Sequence, residues 1–209
     1  MFITFEGLDF SGKTTQANLF VERLKAAARR PALFLREPGG TRISERIREI
    51  LLDRAHLEMF PLAELLLFSA SRSQLVQEVI RPALDRGETV VCDRFYDSTT
   101  AYQGYGRGLD LESIGRINTI AAAGVIPDIT FFVDIPLEEI VRRKTAAGIP
   151  FDRMESGGEE FYRRVRHGYL TMAAQEKRFV RVEGTGTIES IGGDVWRSYQ
   201  DIQQQRSSL

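Results

Sequence analysis

Cysteine is nearly absent: Cys92 is the single one among 209 residues. No internal disulfide is possible, which excludes a small scaffold stapled by bridges. Cys92 lies in the apolar run TVVCD, where a free thiol acts as a small buried hydrophobe. An excess of one charge is missing too. Lys and Arg number 28 against 29 Asp and Glu, for a net charge of −1. A chain that coats nucleic acid through bulk electrostatics shows a clear basic excess, so no nucleic-acid polymer is expected as a partner. A local anion site remains compatible with that balance. No stretch approaches the ~18 apolar residues of a membrane span. The start, MFITFEGLDF, has no basic n-region and breaks its apolar run at Glu6 and Gly7, unlike a signal peptide. No membrane is expected as a partner, and a reducing cytoplasm is the expected compartment.

What is present is globular, with 43% hydrophobic and 27% charged residues, a balance that a disordered chain does not have. A chain of this length buries roughly 70% of its unfolded surface and needs neither metal nor bridge to fold. No internal repeat or low-complexity linker divides it, so residues 1–209 read as a single domain. Short apolar runs at Phe2–Phe5, Ala32–Leu35, Thr89–Cys92, Ile129–Val133 and Phe179–Val182 lack strict alternation, as strands buried on both faces do. Helical patterns fall between them, near 14–29, 42–53, 61–86, 111–122, 137–146, 159–176 and 188–203. Pro61 suits a first helical turn and Gly87 the end of the same helix. The alternation predicts an α/β three-layer fold: a five-stranded parallel sheet flanked by helices, with ligands beyond the carboxyl ends of the strands.

The first strand runs into Gly7-Leu8-Asp9-Phe10-Ser11-Gly12-Lys13-Thr14, which matches G-x-x-x-x-G-K-[ST], the P-loop pattern. Its glycines let backbone N–H groups turn inward around phosphate oxygens, and the next helix presents its N-terminus to the same anion. Lys13 reaches the β/γ-phosphates of a nucleoside triphosphate in such a loop, and the Thr14 hydroxyl ligates Mg²⁺. The guanine-reading N-K-x-D of a GTPase does not occur.

A second anion site is expected at Asp93-Arg94, past the third strand. A guanidinium there holds a phosphate bidentately. Asp93 either orients an arginine or holds Mg²⁺ through water. Arg36-Glu37-Pro38-Gly39-Gly40-Thr41 is a tight turn and either another N–H nest for an anion or a plain strand-to-helix connection. A phosphate monoester has its second pKa near ~6 and is largely a dianion at neutral pH, so it needs positioning more than a general base. The two histidines, His56 and His167, fall in helical patterns away from strand ends. This tilts the reading toward a phosphorylated acceptor.

FEGLDFSGKTT, REPGGT, LLLFSASR, CDRFYDSTTAYQG, PDITFFVD and FDRMESGGEEFYRRVRHGYL occur in this order. With them the chain resembles the thymidylate kinase family, from Met1 to about Val182. The resemblance implies transfer of a phosphoryl group from ATP-Mg to dTMP, and a homodimer. Another nucleoside monophosphate kinase, or a nucleotide-dependent binding module, are the alternatives. It further implies that Gly7, Ser11, Gly12, Lys13, Thr14 and Thr15 hold ATP, that Asp9 faces the acceptor sugar or its metal, and that Arg94 holds the acceptor phosphate. Phe68 stacks on thymine and Arg72 bonds a base oxygen in that reading. Glu37, Pro38, Thr99, Tyr102 and Gln103 line the acceptor pocket, with Tyr102 near the sugar 2′ position. A lid of about 142–153 brings Arg153, Arg142 and Arg143 to the phosphates. Some members carry an arginine at the position of Phe10, so the chain is similar to the bacterial type, in which lid arginines serve. Gly192 and Gly193 predict that the last helix starts only at Asp194 or is kinked, since two interior glycines cost about 2 kcal/mol.

Overall fold

The computed structural model describes residues 1–27, 31–148 and 158–207. β1 (Phe2–Glu6) is buried along its whole length. It pairs in parallel with β3 (Thr89–Asp93) on one side and β4 (Ile129–Asp134) on the other. β2 (Ala32–Arg36) and β5 (Phe179–Glu183) complete the order β2-β3-β1-β4-β5, all parallel. Each strand runs one residue past its apolar run and ends on a charge: Glu6, Arg36, Asp93, Asp134 and Glu183. Those five ends form the rim over which a ligand sits.

Side chains alternate across the sheet with period two. Ile3, Phe5, Phe131 and Val133 pack with Phe20 of α1 (Lys13–Ala27) and Val195 of α9 (Ile188–Ser207). On the opposite face Phe2, Val90 and Cys92 meet Leu75 at the end of α3 (Pro61–Leu75), and Phe132 meets Tyr169 of α8 (Gly158–Gln175). Burial pushes the Cys92 thiol well above its ordinary pKa, which keeps it an inert packing group. α2 (Arg42–Leu52) follows β2, capped by Thr41, whose hydroxyl accepts from the Ser44 N–H.

Two helices depart from expectation. The pattern over 61–86 is one rod, but a wide π turn at Val76–Ile80 separates α3 from α4 (Arg81–Asp85). Pro82 has no N–H and its ring crowds the carbonyl four residues back, and the wider turn relieves that clash. α9 is also corrected: it is continuous from Ile188 through both glycines. A β-carbon on Gly192 would stand 3.1 Å from Gln16 Oε1 of α1. Arg23 donates to the Gly192 carbonyl at 2.7 Å, and Gln16 donates to the Ile188 carbonyl at 3.0 Å. Glycine here permits a close helix–helix approach that offsets its low propensity. The other helices are α5 (Tyr96–Thr99), α6 (Leu111–Ala121) and α7 (Leu137–Ala147). Among the described residues no helix is long and apolar enough to cross a membrane.

Candidate active site

The loop after β1 is shaped by its first glycine. Gly7 has φ +147, and a β-carbon there would lie 2.5 Å from the Val133 carbonyl oxygen, so no other residue fits. The loop leads into α1, whose first residues are Lys13, Thr14 and Thr15. Lys13 is buried, and its ammonium lies 3.9 Å from Asp9. Burial and the nearby Arg94 cation push the Lys13 pKa down, while Asp93, Asp9 and Glu6 pull it up. The Thr14 hydroxyl donates to Asp93 Oδ2. Asp93 Oδ1 is buried and accepts no hydrogen bond among the described residues.

Arg94 follows directly, held at φ +70, a left-handed conformation that is costly for a residue with a β-carbon. That strain turns its side chain back over the loop. Nη2 donates to Asp9 Oδ1 at 2.6 Å and to the Tyr102 hydroxyl at 3.2 Å. Nη1 donates to the Gly7 carbonyl and to Ser98 Oγ, both at 2.9 Å. Asp9 is half-buried, its side chain 27% exposed, and that burial opposes its charge. The Arg94 and Lys13 cations and the Tyr102 hydroxyl outweigh that and hold its carboxyl at about 2.

A cavity opens beside this cluster. All nine acceptor-pocket residues expected from the sequence line it: Asp9, Glu37, Pro38, Phe68, Arg72, Arg94, Thr99, Tyr102 and Gln103. Arg72 is fully buried and held from three sides. It donates to Glu37 at 2.8 Å, to Thr99 Oγ1 at 3.0 Å and to Asn118 Oδ1 at 3.4 Å. Phe68 and Arg72 are one helical turn apart and face the cavity together. The Gly39–Gly40 turn is no open nest, because the Gly40 N–H donates to Glu45 Oε1 at 2.8 Å.

The arginines expected in a lid separate. Arg143 donates to the Phe10 and Ser11 carbonyls, both at 3.2 Å, and to the Gly184 carbonyl at 2.7 Å, bracing the phosphate loop from outside. Arg142 is exposed and pairs with Glu139 on the outer face of α7. Lys144 lies over the Phe10 ring at 5.6 Å. Arg153 lies outside the described residues.

A family model, "Thymidylate kinase", matches residues 5–195. The thymidylate kinase of Pelodictyon phaeoclathratiforme is 50% identical over 204 residues, which cover 93% of each chain. That of Pelotomaculum thermopropionicum is 50% identical over 202 residues, 96% of this chain and 93% of the relative. The crystal structure of the Ehrlichia chaffeensis thymidylate kinase superposes with a TM-score of 0.79 at 34% identity, covering 95% of this chain and 98% of the other. The chain belongs to the thymidylate kinase family. It is therefore a phosphotransferase by kinship, with the P-loop fold that its sheet order displays.

This thymidylate kinase family member also lines its cavity with residues to which the sequence assigned no place there: Arg48 and Leu52, and Phe95 and Ser98 from within the CDRFYDSTTAYQG motif. Arg48 sits on α2 and donates to the Pro38 carbonyl at 2.9 Å, a placement visible only once α2 folds over the turn. Glu6 was hidden in the FITFE strand. Its carboxylate accepts from the Phe95 N–H at 2.7 Å, from Ser98 Oγ at 2.6 Å and from the Tyr169 hydroxyl at 2.9 Å. Burial lifts its pKa to about 7, with the Asp97 charge adding and Arg94 opposing.

A carboxyl lifted in this way keeps its proton where the unfolded chain has lost it. The native state then binds more protons, and stability falls as pH rises from 4.5 toward 7. Glu37, lifted to about 7 by burial against the attraction of Arg72, adds the same sign. Asp9 has the opposite sign: its contribution is present above 3.8 and is lost as pH falls toward about 2. Melting temperature is therefore expected to decline between pH 4.5 and 7, and Glu6→Gln to flatten that decline. An unchanged slope in scanning calorimetry would refute the assignment to Glu6.

Proposed function

We propose that this chain transfers the γ-phosphoryl group of ATP to dTMP, giving dTDP and ADP. The observation that carries this reading is the position of Asp9. One carboxylate bonds the arginine that follows β3 at 2.6 Å and lies 3.9 Å from the P-loop lysine. Two anion-holding cations thus converge on one point, as a donor triphosphate and an acceptor monophosphate laid end to end require. A phosphate oxygen of dTMP attacks the γ-phosphorus while the bond to the β-phosphate oxygen breaks. The attacking oxygen is already anionic at neutral pH, so no side chain need take its proton. His167 stacks edgewise on Tyr105, away from this point.

Lys13 and the loop N–H groups hold the triphosphate, and Arg94 holds the acceptor phosphate. Phe68 offers its ring to the base, and Arg72 offers guanidinium N–H groups to a base oxygen. Arg143 keeps the loop in shape. Mg²⁺ bound with ATP neutralises charge on the phosphate oxygens. Thr14 and Asp93 fit such an ion, because the orphaned, buried Asp93 Oδ1 stands beside the Thr14 hydroxyl. Asp9, the third expected ligand, already has its oxygens on Arg94 and Tyr102. The expected compartment remains the cytoplasm, where dTMP and ATP meet.

A homodimer fits an apolar stripe on α2 and α3. Phe60 is 80% exposed, Leu62 and Leu66 are exposed one turn apart on α3, and Ile43 and Ile50 are exposed on α2, which packs against α3. Sedimentation should give twice the chain mass, and Leu66→Lys should shift it toward the monomer. For the reaction, dTMP, dUMP, dCMP and AMP assayed side by side with ATP-Mg should show a clear preference for dTMP. Equal rates on all four would sink the proposal.

A further inference from the structure

Gln103 lines the acceptor cavity and is buried. Its amide has a donor end and an acceptor end of nearly the same shape, and the end that meets a base decides which base is accepted. Gln103 Nε2 donates to Glu64 Oε1 at 2.9 Å. Glu64 is 1% exposed and also accepts from Arg107 Nε and Nη2, both at 3.3 Å. Arg107 supplies the counter-charge, and its guanidinium lies over the Phe161 ring at 4.8 Å. An ionised carboxylate only accepts, so the NH₂ end of Gln103 has to face Glu64. The carbonyl is then the end left for a ligand in the cavity. Glu64, Phe68 and Arg72 recur every four residues on α3 and form one stripe toward the acceptor site.

We propose that Glu64 is a positioning residue for base choice: it locks the Gln103 amide so that the cavity presents a carbonyl, and not an NH₂, to the pyrimidine ring. This rests on the reading of the cavity as the dTMP site. Thymine carries an N3–H donor, which a carbonyl accepts. Cytosine has a bare N3 acceptor there, which a carbonyl repels. An amide free to turn offers its NH₂ to cytosine N3, and discrimination is lost.

The test is the ratio of kcat/KM for dTMP over dCMP, with melting curves for every variant. Glu64→Gln replaces an acceptor-only group by one that both donates and accepts, so Gln103 is released to turn. The ratio is expected to fall about tenfold, the worth of one hydrogen bond. Gln103→Ala is expected to lower it as well, the double variant no further than Gln103→Ala alone, and Glu64→Asp to recover the ratio relative to Glu64→Gln. Equal losses on both substrates, or a Glu64→Gln effect that persists in the Gln103→Ala background, overturn the proposal. If Gln103→Ala leaves the ratio untouched, Gln103 does not read the base, and the inference falls with that part of the pocket reading. Should Glu64→Gln fail to fold, Glu64→Asp decides alone: a retained ratio supports the lock, and a tenfold loss overturns it.

Discussion

Lys13→Ala is expected to lower kcat roughly 10³-fold or more, to the limit of detection. The Lys13 ammonium is buried at the junction of the phosphate loop and α1, with Asp9 3.9 Å away. A cation desolvated in that way interacts with developing phosphate charge far more strongly than one in water. Alanine removes it without replacement, and among the described residues it also leaves Asp9 with Arg94 as its one close cation. Lys13→Met keeps the length of the stem and removes the charge alone. If packing were the role of Lys13, Lys13→Met would retain activity; if charge is its role, both variants are inactive while both melt near the wild type. Single-turnover assays with excess enzyme measure this, and retained transfer in Lys13→Ala would end the P-loop assignment.

Arg94→Ala is expected to reduce kcat/KM for dTMP by roughly 10²- to 10³-fold, with a smaller effect on the KM for ATP. Alanine keeps a β-carbon, so the left-handed backbone at φ +70 is equally strained in both proteins and drops out of the comparison. What is lost is the fork. One nitrogen bonds Gly7 and Ser98, the other Asp9 and Tyr102, and the same plane faces the cavity. Arg94→Lys should not restore activity, because a point charge on a flexible stem cannot reproduce that geometry. The asymmetry between the two substrates is the decisive readout. Unchanged KM and turnover for dTMP would show that the acceptor phosphate is held elsewhere.

The two variants also separate what each part of the fold supplies. Lys13 belongs to the loop after β1, and Arg94 to the loop after β3. They meet because β1 and β3 are neighbours in parallel register, with Phe5 opposite Asp93. The Arg94 N–H continues that ladder by donating to the Phe5 carbonyl at 2.9 Å. A shift of one residue in the pairing would turn the guanidinium to the opposite face of the sheet.

By itself the sequence determined the five strands and the phosphate-loop motif, and its family resemblance named nine residues that share one cavity. The strands and the loop are local signals. Apolar runs without alternation mark strands buried on both faces, Gly7-to-Thr14 spacing marks the loop, and Phe68 and Arg72 share a helix face by their separation alone. The tertiary structure decided the rest, because the remaining roles depend on partners distant in sequence. Glu6 meets Tyr169 across 163 residues, and Arg178 pairs with the buried Asp97 across 81. Arg142 and Arg143 are neighbours with one chemistry. The helix turns the first to solvent and the second onto the phosphate loop, since adjacent residues on a helix point about 100° apart. Gly192 reads as a helix breaker until α1 is seen packed against it. Glu64 reads as an ordinary first-turn acid until α3 is laid beside the π-helical stretch Thr100–Gly106, which carries Gln103. Periodicity and motif report what a residue's neighbours in the chain demand. Only the packed structure shows which carboxylate, buried away from water, must find its hydrogen bonds on a distant segment.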